Sequence, residues 1–539
     1  MKERERGAQA GPRVRLLLES WLLPWLVFAA LAGSALRQTS ATYDEPVYIV
    51  AGVSYLTTGR FVMKDDAPPL VSYLAGAAAM AAGIRLPKDE LPFDDSLGVE
   101  YSFAAYVLFH DAARGDRALD LARAAVLLPF SLLLFAAVWG WSRDLAGPGA
   151  ARLAAWLAAG SPSLLAHAGV VSDDFALAAS WLAACWALHR FAKEPGLRRG
   201  LMLGAAAALA LACKFTAALL LPVVAGGVAL AAAARARRAA TARAAAAGLL
   251  LAAVLLSLLY GWPPGFGRYL EGISRLYRNV DPGYRTYLLG RFFVRPPFYY
   301  YPAALLLKAS PLLLLGGALG ALATRRRGDE AERLSLLGPI VLLLGAAALD
   351  REGLGVRRVL PVVPALAVLC AVAWGRLSRR LKRPAAWAAG LALLQLAMAG
   401  LAWPDFIASF NPASRLLGPP SALLDDSNLD WGQELKTLRA FLERRGIANG
   451  WFCSFGSVDP AVYGVRLRSS EGSVLWRRPP GYYVLSPQCL VRLRAKDPAA
   501  FPPGTESGRA GALYLFSIPG AAAPGAVAPS GAGRSTAAR

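Results

Sequence analysis

The chain has 539 residues, of which 56% are hydrophobic and 17% charged, with a mean hydropathy of +0.41. Soluble globular chains carry about 25% charged residues, so an ordinary soluble enzyme is excluded, as is a disordered chain. The 58 Lys and Arg against 36 Asp and Glu give a net charge of +22. The arginines sit in short segments between apolar runs, where membrane topology needs them, so a nucleic-acid binder is excluded too. Five cysteines, none in a CxxC pair, exclude a zinc ribbon or a disulfide scaffold. Three scattered histidines argue against a His-rich metal centre.

The apolar residues fall in separate runs of about 17–25, each long enough to span a bilayer. The first, Val14 to Ala35, follows the basic residues Lys2, Arg4, Arg6, Arg13 and Arg15. Gly33-Ser34-Ala35 also suits a cleaved signal peptide, but the apolar core is long for one. Further runs lie near 119–141, 150–169, 174–192, 200–213, 215–234, 244–262, 299–321, 334–350, 357–375 and 385–404. The expected fold is an α-helical polytopic membrane protein with about eleven transmembrane helices.

Alternate loops carry the positive charge. Arg143 and Arg152, Arg190 to Arg199, Arg235 to Arg243, Arg325 to Arg333, and Arg376 to Arg383 mark five basic loops. These are expected to face the cytoplasm, with the N-terminus. Three large segments, 36–118, 263–298 and 405–539, then lie outside, and a bacterial plasma membrane is the expected location. The pair of short helices meeting at Lys214 keeps this alternation in phase. Transporters place charged groups at the bilayer midplane, on broken helices. Here the helix interiors hold almost no ionisable residues, and the carboxylates gather in outside loops. The pattern points to chemistry at the outer interface, on a lipid-borne substrate.

The first outside loop opens with Thr42-Tyr43-Asp44-Glu45-Pro46-Val47-Tyr48. An amphipathic stretch runs from Val47 to Leu56 and ends at Gly59. It reads as a helix lying in the interface, with Pro46 in its first turn. Lys64-Asp65-Asp66-Ala67-Pro68-Pro69-Leu70 and a second apolar stretch to Ile84 follow. Asp44 has two readings. It can cap the helix, or it can act as a general base that takes a proton from an attacking hydroxyl. Glu45 would orient an acceptor or hold a divalent cation.

The Asp-Glu pair just after the first span, with Pro-Pro-Leu about twenty residues on, resembles the GT-C membrane glycosyltransferases. The closest likeness is to family 39, the protein O-mannosyltransferase and aminoarabinose lipid A transferase group. The resemblance implies a polyprenyl-phosphate sugar donor, a hydroxyl acceptor, and Asp44 as catalytic base on the extracytoplasmic side. One departure stands out: relatives often carry Lys or His before Pro-Pro, and this chain has Ala67. Other groups must then hold the donor phosphate.

Ser172-Asp173-Asp174-Phe175 opens the fourth span. It reads as an N-cap with first-turn acids. By resemblance, Asp173 and Asp174 are acids that face the Asp-Glu loop and position acceptor or cation. His167 is expected to be a plain helix-end histidine. A metal bridging Asp44, Glu45 and Asp173 or Asp174 is compatible with ligand type, but no cofactor is assigned. Lys214, between spans five and six, either snorkels to water or pairs with lipid phosphate. In the second outside loop, arginines including Arg291 alternate with tyrosines and suit phosphate oxygens and sugar faces. Tyr299 belongs to an aromatic string that an interfacial belt explains equally well. Gly355-Val356-Arg357-Arg358-Val359-Leu360-Pro361 resembles the family's Arg-rich start to a late span, which implies that Arg357 and Arg358 face donor phosphate from the side opposite Lys214.

After residue 404 the composition turns polar. Asp425-Asp426-Ser427-Asn428-Leu429-Asp430-Trp431-Gly432-Gln433-Glu434 contains an Asp430…Gln433 capping box. A helix presenting Trp431, Leu435, Leu438 and Leu442 is expected to follow and to stop at Gly446. Strand-like runs come at Trp451–Phe455, Tyr482–Leu485 and Ala512–Ile518. The expectation is a small extracytoplasmic α/β domain over 405–519 and a disordered tail over 520–539, following a transmembrane domain over 1–404. The Asp-rich string looks like one in bacterial relatives, yet cap and turn chemistry accounts for it, so it is assigned no catalysis. Cys453 and Cys489 can pair outside the cell.

The expected function is transfer of a sugar from a polyprenyl-phosphate donor to a hydroxyl of protein, lipid or glycan. The alternatives are a flippase for lipid-linked sugars without transferase activity, and a binding or assembly protein that keeps the fold without catalysis. Membrane lipids are expected partners and nucleic acid is not.

Overall fold

The computed structural model describes residues 20–61, 63–87, 99–233, 238–261, 265–278, 283–470 and 473–520. The start of the first apolar run and the tail expected to be disordered, from residue 521, lie outside them. Within the described residues, every apolar run forms helix over most of its length. Among the described residues, six helices are long and apolar enough to cross a membrane by length and composition: Ala112–Ala146, Asp173–Lys193, Phe215–Ala233, Arg238–Leu259, Val362–Arg380 and Pro384–Ala402. The others are shorter or interrupted. The run at 150–169 breaks into Pro148–Ala159 and Pro162–His167, and the run at 299–321 into Tyr300–Lys308 and Pro311–Arg327. Both breaks precede a proline, which cannot donate to the helix ladder and disfavours helical geometry in the residue before it. The fully buried Gln395 ties the two breaks together: its amide donates to the Gly160 carbonyl at 2.9 Å and its carbonyl accepts from Ser310 at 2.6 Å. Irregular backbone is thus satisfied inside the bundle, as a membrane interior requires.

Small residues let other helices touch backbone to backbone. A Cβ on Gly204 would lie 2.0 Å from the Gly248 carbonyl oxygen, and one on Gly200 2.1 Å from that of Ala244. These contacts lock Leu197–Cys213 against Arg238–Leu259. Likewise a Cβ on Gly52 would fall 1.7 Å from the Ser72 carbonyl oxygen, so the helices Glu45–Thr58 and Leu70–Ala81 pack in direct contact. The first of these starts and stops where the sequence indicates, with Gly59 in the left-handed conformation at φ +66°. It differs in its burial. Every residue from Glu45 to Tyr55 is buried and only the last turn, Leu56 to Thr58, is exposed, so most of the helix is enclosed by protein and presents no water-facing stripe.

The segment after residue 404 folds as an α/β unit. The strands are β1 (Thr286–Leu288) and β2 (Arg291–Phe293), a hairpin ahead of the helix Tyr300–Lys308, and β3 (Trp451–Cys453), β4 (Arg468–Ser469), β5 (Gly481–Leu485), β6 (Gly508–Ala510) and β7 (Leu513–Ile518). The last five form one sheet in the order β4-β3-β5-β7-β6. β3 pairs in parallel with β4 and β5, and β7 runs antiparallel to β5 and β6. The helices Leu435–Arg445 and Pro487–Lys496 accompany the sheet, and Cys453 is disulfide-bonded to Cys489. The expected Asp430…Gln433 capping box does not form. Asp430 accepts from the Gly432 N–H instead, and the helix begins only at Leu435, leaving Trp431 outside it.

Candidate functional site

Asp44 occupies the residue before the helix Glu45–Thr58, yet its backbone is helical (φ −87°, ψ −22°) and its side chain makes no capping hydrogen bond. The capping role read for it therefore fails. A helical Asp44 aims its carboxylate away from its own helix, and Oδ2 accepts from an Arg357 guanidinium nitrogen at 3.1 Å. The same nitrogen lies 3.7 Å from Asp174 Oδ2, so one guanidinium group joins two carboxylates separated by 130 positions in the chain. Among the described residues Asp44 Oδ1 takes no hydrogen bond.

Asp173 and Asp174 start their helix without help from Ser172, whose hydroxyl does not cap. Both grip Lys214 instead, whose ammonium lies 2.8 Å from Asp173 and 2.5 Å from Asp174. Lys214 reaches them because the helix ends at Cys213. Lys214 itself is extended (φ −153°, ψ 139°), and a short 3-10 turn Phe215–Leu219 restarts the chain. The break at Lys214 read from the sequence is present, and the lysine points inward to two acids.

Glu45 behaves differently from its neighbour. It is fully buried, and Arg123 grips it with Nε at 2.8 Å and a terminal nitrogen at 2.7 Å. It also accepts from the Thr42 N–H at 2.8 Å and the Val171 N–H at 3.1 Å. Arg123 in turn donates to the carbonyls of Leu36, Thr39 and Ser40. Glu45 thus joins the first loop, the helix Ala112–Ala146 and the segment before Asp173. Its oxygens are committed to donors, so the expected part in binding acceptor or cation is replaced by a structural one.

Lys64 is the basic residue nearest to Pro68-Pro69 on the N-terminal side. It lies three residues ahead of Ala67, in a left-handed conformation (φ 52°) that is uncommon for a side chain of its size. Its ammonium lies 2.6 Å from Asp66 and 5.1 Å from the centre of the Tyr48 ring. Burial works against the Lys64 charge, yet Asp66, with Tyr48, Tyr101 and Asp44 nearby, holds its pKa well above the usual lysine range. A cavity of about 280 Å³ beside this loop is lined by Tyr55, Phe61, Asp65, Ala67, Tyr260 and Arg268, among others.

Arg358 turns the other way from Arg357, towards Glu352 at 4.0 Å. Arg291 and Tyr299 are not brought to the cluster. Arg291 is exposed on β2, and Tyr299 is 42% exposed with its ring edge-on to Phe298. The hairpin that carries Arg291 attaches instead to the C-terminal segment, through the Leu289 N–H and the Leu423 carbonyl. His167 is buried with its ring 6.2 Å from that of Trp431, in keeping with a histidine at a helix end. Among the described residues no three His, Cys, Asp or Glu side chains gather as metal ligands. Each acid of the cluster already faces a basic side chain, so the donor set does not fit the divalent cation considered from the sequence.

Sequence reasoning missed Arg123, Lys64, Asn428 and Trp431. Arg123 carried a signal, since a lone arginine within an apolar run is costly unless paired. The assembled group is a set of matched charges, Asp44 and Asp174 with Arg357, Asp173 and Asp174 with Lys214, and Asp66 with Lys64, at helix ends and in the loops between helices. It can bind an anion on its cations and accept a proton on Asp44.

Residues 115–262 match the family model described as dolichyl-phosphate-mannose-protein mannosyltransferase. Over those residues the match bears out the resemblance to family 39 read from the sequence. Two solved structures are similar in fold. The crystal structure of ArnT from Cupriavidus metallidurans bound to undecaprenyl phosphate has 13% sequence identity and a TM-score of 0.47, covering 92% of this chain and 97% of that one. Its apo form has 15% identity and a TM-score of 0.46 over the same shares. No curated protein matches the sequence.

Proposed function

We propose that the protein transfers a sugar from a polyprenyl-phosphate donor to a hydroxyl acceptor on the extracytoplasmic face of the membrane. The observation that carries this reading is Asp44, a carboxylate at a helix start that leaves its own helix uncapped and faces Arg357 and Asp174. A donor of this class fits the family's description, which names a polyisoprenyl-phosphate-linked sugar. The outside placement is supported by the basic opposite loops and by the Cys453–Cys489 disulfide, a bond that persists in oxidising compartments.

In this reading the acceptor oxygen forms a bond to the sugar's anomeric carbon, the bond from that carbon to phosphate oxygen breaks, and polyprenyl phosphate leaves. Asp44 takes the acceptor proton. Lys214, Arg357 and Lys64 stabilise the charge that grows on the leaving phosphate. Asp173 and Asp174 hold two of those cations in place, and Glu45 holds the loop. An arriving phosphate competes with Asp44 for Arg357, so donor binding itself frees the base.

The test is turnover in liposomes with a panel of radiolabelled polyprenyl-phosphate sugars, a membrane-envelope extract as acceptor, and Asp44→Asn beside the wild type. Label should pass to the extract with wild type and fall by about 10²–10⁴-fold in the variant. Equal rates would remove Asp44 from the mechanism. Label that crosses the bilayer still attached to its carrier would replace the transferase with a flippase.

A further inference from the structure

We propose that the buried strap Asp425–Glu434 of the C-terminal segment completes the transferase site, with Trp431 as a positioning residue for Arg357. The inference rests on the transferase reading above and assigns the C-terminal domain a part in it.

Every residue from Leu423 to Leu435 is buried. An acid-rich string with turn chemistry belongs on a surface unless something holds it inside. Both segments that deliver the Asp44–Arg357 pair hold this one. On one side, three consecutive strap carbonyls clamp the loop just before Asp44: Trp431 accepts from the Tyr43 N–H at 2.7 Å, Gly432 from the Ser40 hydroxyl at 2.8 Å, and Gln433 from the Ser40 N–H at 3.0 Å. On the other side, Asn428 Oδ1 accepts from the Val356 N–H at 3.1 Å, and the Ser427 hydroxyl donates to the Leu354 carbonyl at 3.0 Å. These are the residues immediately before Arg357.

Between the two clamps the Trp431 ring lies under the Arg357 guanidinium, 4.3 Å from the ring centre. Arg357 meets its carboxylates through a single nitrogen, and its Nε donates to the Leu354 carbonyl at 3.2 Å. The indole face adds a constraint these in-plane contacts do not supply, because a guanidinium stacks flat on an aromatic ring and is held there against tilting out of plane. Trp431 belongs to a continuous core that runs from the helical bundle into the C-terminal segment, whereas Tyr483, Phe501 and Phe516 form a separate cluster farther into that segment.

The test compares Trp431→Leu, which keeps apolar volume and loses the ring, with Trp431→Phe, which keeps a face. Trp451→Leu, the same change at a ring stacked on Tyr483, controls for damage to the domain. With equal amounts of folded protein, Trp431→Leu should lower kcat by about 30-fold, the value of a desolvated cation–π contact. The KM for donor should change far less, Trp431→Phe should recover most of the rate, and Trp451→Leu should lose stability while retaining kcat. In an Arg357→Lys background, Trp431→Leu should add little, because the two residues act as a unit. A second readout needs no turnover: phenylglyoxal modification of Arg357, followed by peptide mass spectrometry, should accelerate in Trp431→Leu and stay slow in Trp431→Phe. Leu and Phe variants that match each other in rate, or Arg357 labelling that ignores the ring, would overturn the proposal. If the wild type transfers no sugar from any donor, the transferase reading falls and the labelling rates alone decide the strap.

Discussion

Replacing Glu45 with Gln changes one atom in kind and leaves volume almost untouched, yet the structure makes it a severe change. All four groups that reach Glu45 are donors: two nitrogens of Arg123, and the N–H groups of Thr42 and Val171. A glutamine amide must present its own N–H atoms to two of them. Arg123, 2% exposed, is left as an unpaired buried cation, and removing one partner of such a pair costs about 3–5 kcal/mol. That is a large share of the about 5–15 kcal/mol that holds a typical protein folded. Substituting both partners with apolar residues, often harmless for a simple ion pair, fails here as well. It would orphan the carbonyls of Thr39 and Ser40 besides the two N–H groups. Arg123→Lys should behave like Glu45→Gln, since an ammonium has three donors and cannot reproduce five contacts. The assay is denaturation in mixed micelles, followed by tryptophan fluorescence, with turnover of the folded fraction measured in parallel. Both variants should lose stability by this amount and lose turnover together, because the loop they hold carries Asp44. If Glu45→Gln keeps wild-type stability while abolishing turnover, and Arg123→Lys stays active, then Glu45 meets substrate and the structural account is wrong.

Three further outcomes follow from the same geometry. Lys214→Gln leaves Asp173 and Asp174 buried without their shared cation, so it should weaken undecaprenyl-phosphate binding by at least about tenfold and destabilise the fold by about 3–5 kcal/mol; unchanged binding would take Lys214 out of the phosphate site. Gly355 sits at φ +85°, where a Cβ would lie 2.6 Å from Asn428 Oδ1, so Gly355→Ala should cost about 1–3 kcal/mol of backbone strain and displace the strap, seen as a lower melting temperature together with reduced turnover. Desolvation, reinforced by Asp426, raises the Asp425 carboxyl from 3.8 to about 8. A carboxyl raised in the folded state stabilises it fully below its ordinary pKa and loses that contribution as pH climbs through the folded value. The protein should therefore melt at lower temperature at pH 8 than at pH 5, and Asp425→Asn should flatten that slope; a variant with the wild-type pH profile would show that Asp425 does not titrate there.

Much of the architecture is legible because membrane helices obey a local rule. An apolar run of sufficient length must satisfy its own backbone, so it forms helix, and the described residues of the runs marked in the sequence do so over most of their length. The break at Lys214 was legible for the same reason, since a lysine between two alanine- and leucine-rich stretches needs an anion or water. The breaks at Ser161 and Ser310 were not, because the apolar character continues across them. What permits them is Gln395, a residue 235 positions from Gly160 and 85 from Ser310. The two edge strands β4 and β6 were missed because both are short and carry an arginine, which hides any alternation.

The candidate site is legible in its residue types and obscure in its pairings. Capping arguments look three or four residues ahead, so Asp44 reads as a cap, and Asp430 as half of a capping box. In the folded chain the decisive partner of Asp44 lies 313 residues away, that of Glu45 lies 78 away, and the strap that clamps Ser40 lies 392 away. Asp44 and Glu45 are adjacent, share a charge, and look interchangeable in the sequence. They part company because one side chain enters a closed nest of donors and the other meets a single guanidinium nitrogen. A carboxylate with every lone pair engaged cannot take a proton without breaking its scaffold, whereas one held through a single oxygen can. The division of labour between neighbouring acids is therefore set by which distant donors reach them, and the C-terminal strap, the most distant of these in sequence, is where the pattern of local residues says least and the packing says most.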